Sequence, residues 1–586
     1  MLVNSAQLCR FLRYLVETTL AGETGSIKEN LLGTEVFERG IRFDPRTDPV
    51  VRVEARRLRS KLEEYYASLG AADEIVIRIP KGSYVPTFER AGIVAVEEAA
   101  PRKRRWAIPV AVAGTMAVAA LLFWVNRTAL AGPSSLAVLP FANVGSDAET
   151  EYFADGLTDE LTDLLGRTDG LRVVARSSAY QYKGKVGDAR EIGGRLQADV
   201  LLEGSVRKEG RRLRISAQLV DAHSGYQIWS QTADREWTEV FAMQQEIAAS
   251  IAAKLKVRPA SDSPSRHTAN LESYNLYLKG RYYWNKRTVP SLEAAIAAFR
   301  EAIDKDPNYA AAWSGLADSY SILGFMEALP PNEIHQKALA AAQRAIQLDD
   351  TLADGHASLA TILGLYDWDW PGAERSFRRA LQLNPNLALA HYGLSKLLAS
   401  VGRLPEGLRE IRRAQELDPL SLMVATSRAW ELAAMRRYPE ADDAFRVADD
   451  LDPNFLWNYT FRSWSYEARG EYGRAVENLQ RALTLSNSGS VVKGELAHAL
   501  GRAGRRDEAA KILDELTTEG AQRYVSPFDL SRAYEGLGRR DEAMAALSRA
   551  CDDHSPIIVF IKAEPVFDEW RTDPRFQTIL RRLHFE

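Results

Sequence analysis

Cysteine is almost absent: only Cys9 and Cys551 occur in 586 residues, too few for a disulfide framework. Histidine is scarce as well, eight in all and scattered, so no clustered zinc site is expected from Cys/His spacing. No sign of charge dominates. Lys+Arg total 75 against 79 Asp+Glu, a formal net charge of −4, which excludes a global field for nucleic acid and leaves only local asymmetries. The chain also lacks GxGxxG, P-loop and GxSxG strings, the phosphate cradles and nucleophile elbow that would announce common enzyme classes. What is present is ordinary globular composition, 46% hydrophobic and 26% charged, in a chain long enough for about three or four domains.

One long apolar run stands out. Residues 106–125, WAIPVAVAGTMAVAALLFWV, hold twenty residues without a charge, with Trp106 and Trp124 at the ends and Pro109 in the first turn. At about 1.5 Å per residue such a helix matches a bilayer's hydrocarbon thickness, about 30 Å. RKRR at 102–105 precedes it and only Arg127 follows closely. The positive-inside rule then predicts a single-pass protein, with a cytoplasmic amino terminus and the remainder across the membrane. Residues 94–105 read as a basic juxtamembrane linker.

Before that run, residues 50–69 (VVRVEARRLRSKLEEYYASL) predict a helix with Val51, Ala55, Leu58 and Leu62 on one apolar stripe. Between 52 and 61 it carries five basic residues and one acid, and it projects Val53, Arg56, Arg57 and Ser60 opposite the stripe, with Arg52 and Arg59 on a flank. EIVIRIPKGSYVPTF (74–88) alternates and turns at Lys81-Gly82, the pattern of a β-hairpin. Leu8, Phe11, Leu12 and Leu15 mark an amphipathic helix upstream, and KENLLGTEVF (28–37) a short second one. Helix, helix, basic helix, hairpin is the order of a winged helix-turn-helix.

VRVEARRLRSKLE (51–63) resembles the recognition helix of OmpR/PhoB-type DNA-binding domains, and KGSYVPTF (81–88) resembles their wing; Glu54 and Ser83 depart from the pattern. The resemblance implies that residues 1–93 bind promoter DNA through residues 50–88, with Arg52, Val53, Arg56, Arg57, Arg59 and Lys81 facing it. Arginine suits the task because its fork addresses guanine or phosphate with two hydrogen bonds. A single small winged helix contacts few phosphates, so a dimer on DNA is expected.

Residues 135–256 read as an α/β domain of βαβαβββα character: SLAVLPF, the helix EYFADGLTDELTDLL, LRVVAR, DAREIGGRL with an Asp188/Glu191 capping pair, DVLLEGSV, the alternating LRISAQLV, YQIWS, and a helix from Phe241 to Leu255. Asp155, Asp159, Glu160 and Asp163 line its first helix without a histidine or lysine at catalytic spacing, and are expected to be solvated. The segment resembles FlgO/TolB-N-terminal-like domains, which implies a noncatalytic sensing or interaction role.

Repeats fill the rest. Asp306-Pro307, Asp349-Asp350, Asn384-Pro385, Asp418-Pro419, Asp452-Pro453 and Ser486-Asn487 end helices at spacings of 43, 35, 34, 34 and 34 residues. Thirty-four is the tetratricopeptide (TPR) period. Trp313, Leu316, Ala317 and Tyr320 form one signature set; Ala373/Phe377/Ala380, Ala441/Phe445/Ala448, Ala475/Leu479/Ala482 and Ala543/Leu547/Ala550 form another. The resemblance to TPR proteins covers 271–550, about eight units, with an insertion near 329–336; it implies a concave face for protein or peptide partners. Residues 551–586 break the period and are expected to cap the last repeat.

The fold class expected is therefore multidomain α+β: an N-terminal winged helix-turn-helix, a single transmembrane helix, an α/β FlgO-like domain and an all-α TPR superhelix. The whole resembles CadC-type membrane-anchored one-component regulators, which implies an inner-membrane transcriptional regulator with periplasmic FlgO-like and TPR domains. It implies no enzyme, no cofactor, no metal and no catalytic residue. The competing reading is a membrane-anchored TPR scaffold without DNA binding.

Overall fold

A computed structural model of the chain describes residues 6–22, 27–37, 48, 50–66, 73, 75–80, 83–90, 135–145, 148–185, 187–257, 268–326, 329–486 and 489–585. They fall into two compact units, Met1–Ala120 and Leu121–Glu586.

In the first unit, α1 (Ala6–Leu20), α2 (Glu29–Glu35) and α3 (Val50–Tyr66) precede an antiparallel pair, β1 (Ile75–Arg78) and β2 (Thr87–Arg90). The pair is in register Ile77↔Phe88 and Arg78↔Thr87. The predicted stripe is the buried one: Val51, Ala55, Leu58 and Leu62 pack with Leu8, Phe11, Leu15, Leu32, Val36, Phe37 and Ile79 in one core. Phe11 and Phe37 meet edge to face at 5.0 Å.

The second unit opens with an α/β region. Its elements are β3 (Ser135–Val138), β4 (Ala142–Asn143), α4 (Ala148–Gly166), β5 (Arg172–Val173), α5 (Arg176–Ala179), α6 (Ala189–Leu196), β6 (Val200–Glu209), β7 (Arg212–Asp221), β8 (Gln227–Glu236) and α7 (Val240–Leu255). The sheet order is β5-β3-β6-β7-β8, with β4 also on β6. The strands before β6 pair in parallel and the last three are antiparallel, joined by short turns. Gly204 is obligatory in β6, because a Cβ there would lie 2.2 Å from the Phe141 ring. Asp188 caps α6 by accepting from the Arg190 amide at 2.9 Å.

Asp155 and Asp159 of α4 are not solvated. Asp155 is 4% exposed and pairs with Lys183 at 2.6 Å. Asp159 meets Arg176 at 2.7 Å and Arg281 at 3.9 Å. They turn inward because the repeats pack on this helix: Leu278 lies where a Cβ on Gly156 would stand.

Sixteen helices then form eight hairpins: α8 and α9 (Leu271–Trp284, Val289–Lys305), α10 and α11 (Ala310–Phe325, Pro331–Leu348), α12 and α13 (Ala353–Ile362, Trp370–Leu383), α14 and α15 (Ala388–Ser400, Leu404–Leu417), α16 and α17 (Leu422–Ala434, Tyr438–Leu451), α18 and α19 (Leu456–Glu467, Tyr472–Leu485), α20 and α21 (Ser490–Arg502, Arg506–Gly520), α22 and α23 (Pro527–Gly536, Arg540–Asp552). The small and aromatic signature residues, Ala373, Phe377 and Ala380 among them, are buried between neighbouring helices. The helix-ending turns carry polar side chains into the α/β region: Asn386 Nδ2 donates to the carbonyls of Gly166 at 2.7 Å and Leu171 at 2.8 Å, and Ser177 and Ser178 donate to Asp418. The result is a TPR-like helical superhelix at the carboxyl end with an α/β region before it.

Residues 551–586 do more than end the array. Two 3-10 turns, Pro556–Phe560 and Pro565–Trp570, and α24 (Pro574–Arg582) bury Ile558, Phe560, Ile561, Phe567, Trp570 and Phe576 in the same core as Leu397, Trp430, Phe461, Trp464 and Phe528. Those partners lie on first helices of the fourth, fifth, sixth and eighth hairpins. Glu564 accepts from the Trp430 indole N–H, the Lys396 ammonium sits 3.4 Å from the Trp430 ring, and Arg436 pairs with Asp568. The chain itself therefore covers much of the surface that the repeat period had marked for peptides.

The membrane placement is corrected. Among the described residues no helix is long and apolar enough to cross a membrane. The run 106–125 lies outside the described residues. The single-pass inner-membrane localisation, with periplasmic C-terminal domains, has no helix in the structure to carry it and is withdrawn.

Candidate nucleic-acid interface

The surface of α3 sorts the six predicted residues into three groups. Asp48 Oδ1 accepts from the Val50 amide at 3.0 Å and starts the helix. One core stripe is buried, and the opposite side presents Val53, 55% exposed, with Arg56 and Arg57, both exposed. Arg56 makes no ion pair among the described residues, and Arg57 has only Glu54 at 3.7 Å. These three agree with the sequence reading of an outward basic face.

Arg52, its side chain 57% exposed, and Arg59, half-buried, are both engaged by the fold itself. Arg52 Nε pairs with Glu29 of α2 at 2.7 Å and lies beside Tyr84. Arg59 donates from Nε to the Ile79 carbonyl at 3.0 Å and from Nη2 to the Ser83 carbonyl at 2.8 Å. Lys81 lies outside the described residues. A third contact joins helix and hairpin: the Tyr66 hydroxyl accepts from the Ile77 amide at 3.1 Å. Sequence reasoning missed Tyr66 and Tyr84, although the spacing 52, 59, 66 is a signal, since seven residues make two helical turns and return to one side. Glu29 and Glu54 neutralise part of the local charge, so the face that remains strongly cationic is the short patch around Arg56 and Arg57.

In the second unit, one buried cluster has metal-ligand residue types. Glu467, Glu495 and His498 bring ligand atoms within 4.8 Å of one another. The Arg532 guanidinium lies on both carboxylates, at 2.9 Å from Glu467 and 3.2 Å from Glu495, and so supplies the positive charge there itself. His498 Nδ1 lies 2.9 Å from Glu467, and its Nε2 pairs with Glu535. Burial and the Arg532 charge pull the imidazolium down, but Glu535 and Glu467 override them and raise its pKa to about 9. The Lys396 ammonium is pushed down to about 7 by burial, against the pull of Glu431 and Glu564.

Against known proteins, residues 132–250 match the family model of the HilA/YgeH-like transcriptional regulator, second domain, over the stretch where a FlgO-like domain was expected. Residues 466–527 match a tetratricopeptide repeat model. The chain thus contains a transcription-regulator-like domain and TPR repeats. It is 34% identical over 239 residues to a Rhizobium meliloti (strain 1021) protein named "Putative adenylate cyclase 3", a match covering 39% of this chain. The chain spans about two fifths (40%) of that relative's length. Among solved structures, yeast Tom70 is similar with a TM-score of 0.37 at 17% identity, covering 58% of this chain and 75% of that one. YrrB, a TPR protein with an unusual peptide-binding site, gives 0.24 at 19% identity, covering 33% and 95%. The cyclase-named relative overturns the expectation that the chain is no enzyme, which rested on missing motifs and on the resemblance to noncatalytic domains.

Proposed function

We propose that the chain is a transcription regulator in which residues 1–93 form a winged helix that binds promoter DNA through the outward face of α3, while residues 135–256 and 271–550 bind protein or peptide partners. The carrying observation is the patch of Val53, Arg56 and Arg57, exposed on a helix whose opposite stripe is fully buried, in a chain that also holds a transcription-regulator-like domain. A helix of this exposure fits the major groove, where guanidinium forks address guanine edges and an apolar side chain meets thymine methyl groups. The patch is small, so the affinity of one copy is low and two copies act together on DNA. Because the C-terminal turns pack on first helices of the fourth, fifth, sixth and eighth hairpins, partners engage the hairpin surfaces those turns leave open.

The test is fluorescence anisotropy of the full chain with duplexes from its own promoter region, at several salt concentrations. The wild type should bind with a slope set by its phosphate contacts, and Arg56→Ala/Arg57→Ala, which removes two base-reading forks, should weaken binding by about 1–3 kcal/mol per arginine. An unchanged isotherm for the double variant would remove the DNA reading and leave the scaffold reading standing.

A further inference from the structure

We propose that Arg59 is a positioning residue that clamps the hairpin to the recognition helix by holding Ile79 and Ser83 together against α3. This rests on the DNA reading of the same unit. The resemblance assigns Arg59 to DNA, but its guanidinium is already engaged at two carbonyls. Ile79 and Ser83 flank Lys81 and Gly82 in sequence, and each gives its carbonyl oxygen to a different nitrogen of Arg59, at 3.0 and 2.8 Å. A planar fork meeting two acceptors fixes both distance and orientation, which a lysine's single ammonium does not. The turn is further shaped from within: the Ser83 amide donates to the Pro80 carbonyl at 3.2 Å, and the Val85 amide donates to the Ser83 hydroxyl at 3.1 Å.

The clamp is the middle member of a row. Arg52, Arg59 and Tyr66 stand two helical turns apart, and all three reach the hairpin segment, at Tyr84, at Ile79 and Ser83, and at Ile77. Thr87 closes the strand pair by donating to the Arg78 carbonyl at 3.4 Å. The β1–β2 pair has only four residues per strand, too short to be stable without packing or tethering. The division of labour on α3 is then plain: Val53, Arg56 and Arg57 read, and Arg59 sets where the strand ends at Ile79 and Ser83 stand beside the helix.

The experiment uses the full chain with two readouts. Without DNA, amide hydrogen exchange is followed at Ile79, Ser83 and Val85 in wild type, Arg59→Ala and Arg59→Lys. With a random-sequence duplex, the salt dependence of binding is compared for the same three proteins. The clamp predicts about tenfold faster exchange in both variants, the loss expected for one charge-assisted hydrogen-bond pair. It also predicts a salt slope shallower by about 0.9, one phosphate contact, although the patch of Arg56 and Arg57 is intact. Unchanged exchange would refute the clamp whatever DNA does. Faster exchange with an unchanged slope would refute the positioning role and leave the DNA reading intact. Absence of duplex binding by the wild type would sink the DNA reading, and the positioning role with it, and is distinguishable because exchange is measured without DNA.

Discussion

Replacing Arg532 by methionine tests whether charge holds the last hairpins together. The side chain is 2% exposed and bonds Glu467 on α18 and Glu495 on α20 from its own place on α22. It therefore ties the first helices of three successive hairpins. Methionine keeps the aliphatic stem but leaves buried carboxylates with His498 as the nearest cation. Breaking a buried ion pair from one side costs about 3–5 kcal/mol. A stranded carboxylate can escape by taking a proton, at about 1.4 kcal/mol for each pH unit above its ordinary pKa, so its cost is capped near 3.4 kcal/mol at pH 7. The cap falls with acid, to about 1.4 kcal/mol at pH 5.5. Urea unfolding followed by tryptophan fluorescence should thus show a penalty of about 3–5 kcal/mol at neutral pH that shrinks by about 2 kcal/mol on acidification. Adding Glu495→Gln to the variant should restore part of the loss. A penalty below about 1 kcal/mol at pH 7, or one that ignores pH, would refute the reasoning.

Two further outcomes follow from the same structure. The His498 imidazolium, raised to about 9, contributes stability that is complete below its ordinary value of 6.5 and is lost as pH rises through about 9. The wild-type urea midpoint should therefore fall over that window more than that of His498→Asn, and parallel curves would exclude the pairing with Glu535 and Glu467. Lys256 ends α7 with φ at +57°, a conformation glycine adopts without Cβ strain. Lys256→Gly should raise stability by about 0.5–1 kcal/mol in thermal unfolding, and a fall would show that the lysine side chain stabilises that turn.

Much of the fold was legible because it is periodic. Helix-ending pairs such as Asp418-Pro419 and Asp452-Pro453 recur with the hairpin as far as Ser486-Asn487, and the buried Ala373, Phe377 and Ala380 stand where the period put them. Alternation marked β7, where Leu213, Ile215, Ala217 and Leu219 are the buried side. The C-terminal turns carried no such signal. Their apolar residues follow 3-10 geometry in short pieces, and neither helical nor strand periodicity describes PIIVF or PVFDEW. The acids of α4 misled for a related reason: a single helix shows which residues share a face, and it does not show that another helix with Arg281 will arrive on that face.

The residues predicted to face DNA show the same limit at the scale of one helix. A helical wheel separates Val51, Ala55, Leu58 and Leu62 from Val53, Arg56 and Arg57, and the structure keeps that separation. Between the two lies a flank whose fate depends on what packs there. Arg52 and Arg59 are chemically suited to phosphate and to a carboxylate or a backbone carbonyl alike, because the same fork of N–H donors serves all of them. With Glu29 and the hairpin carbonyls within reach, those acceptors win, since they are already in place and need no partner to arrive. Arginine content therefore overstates the outward cationic surface of such a helix, and the share spent internally can be read only once the hairpin is placed beside it.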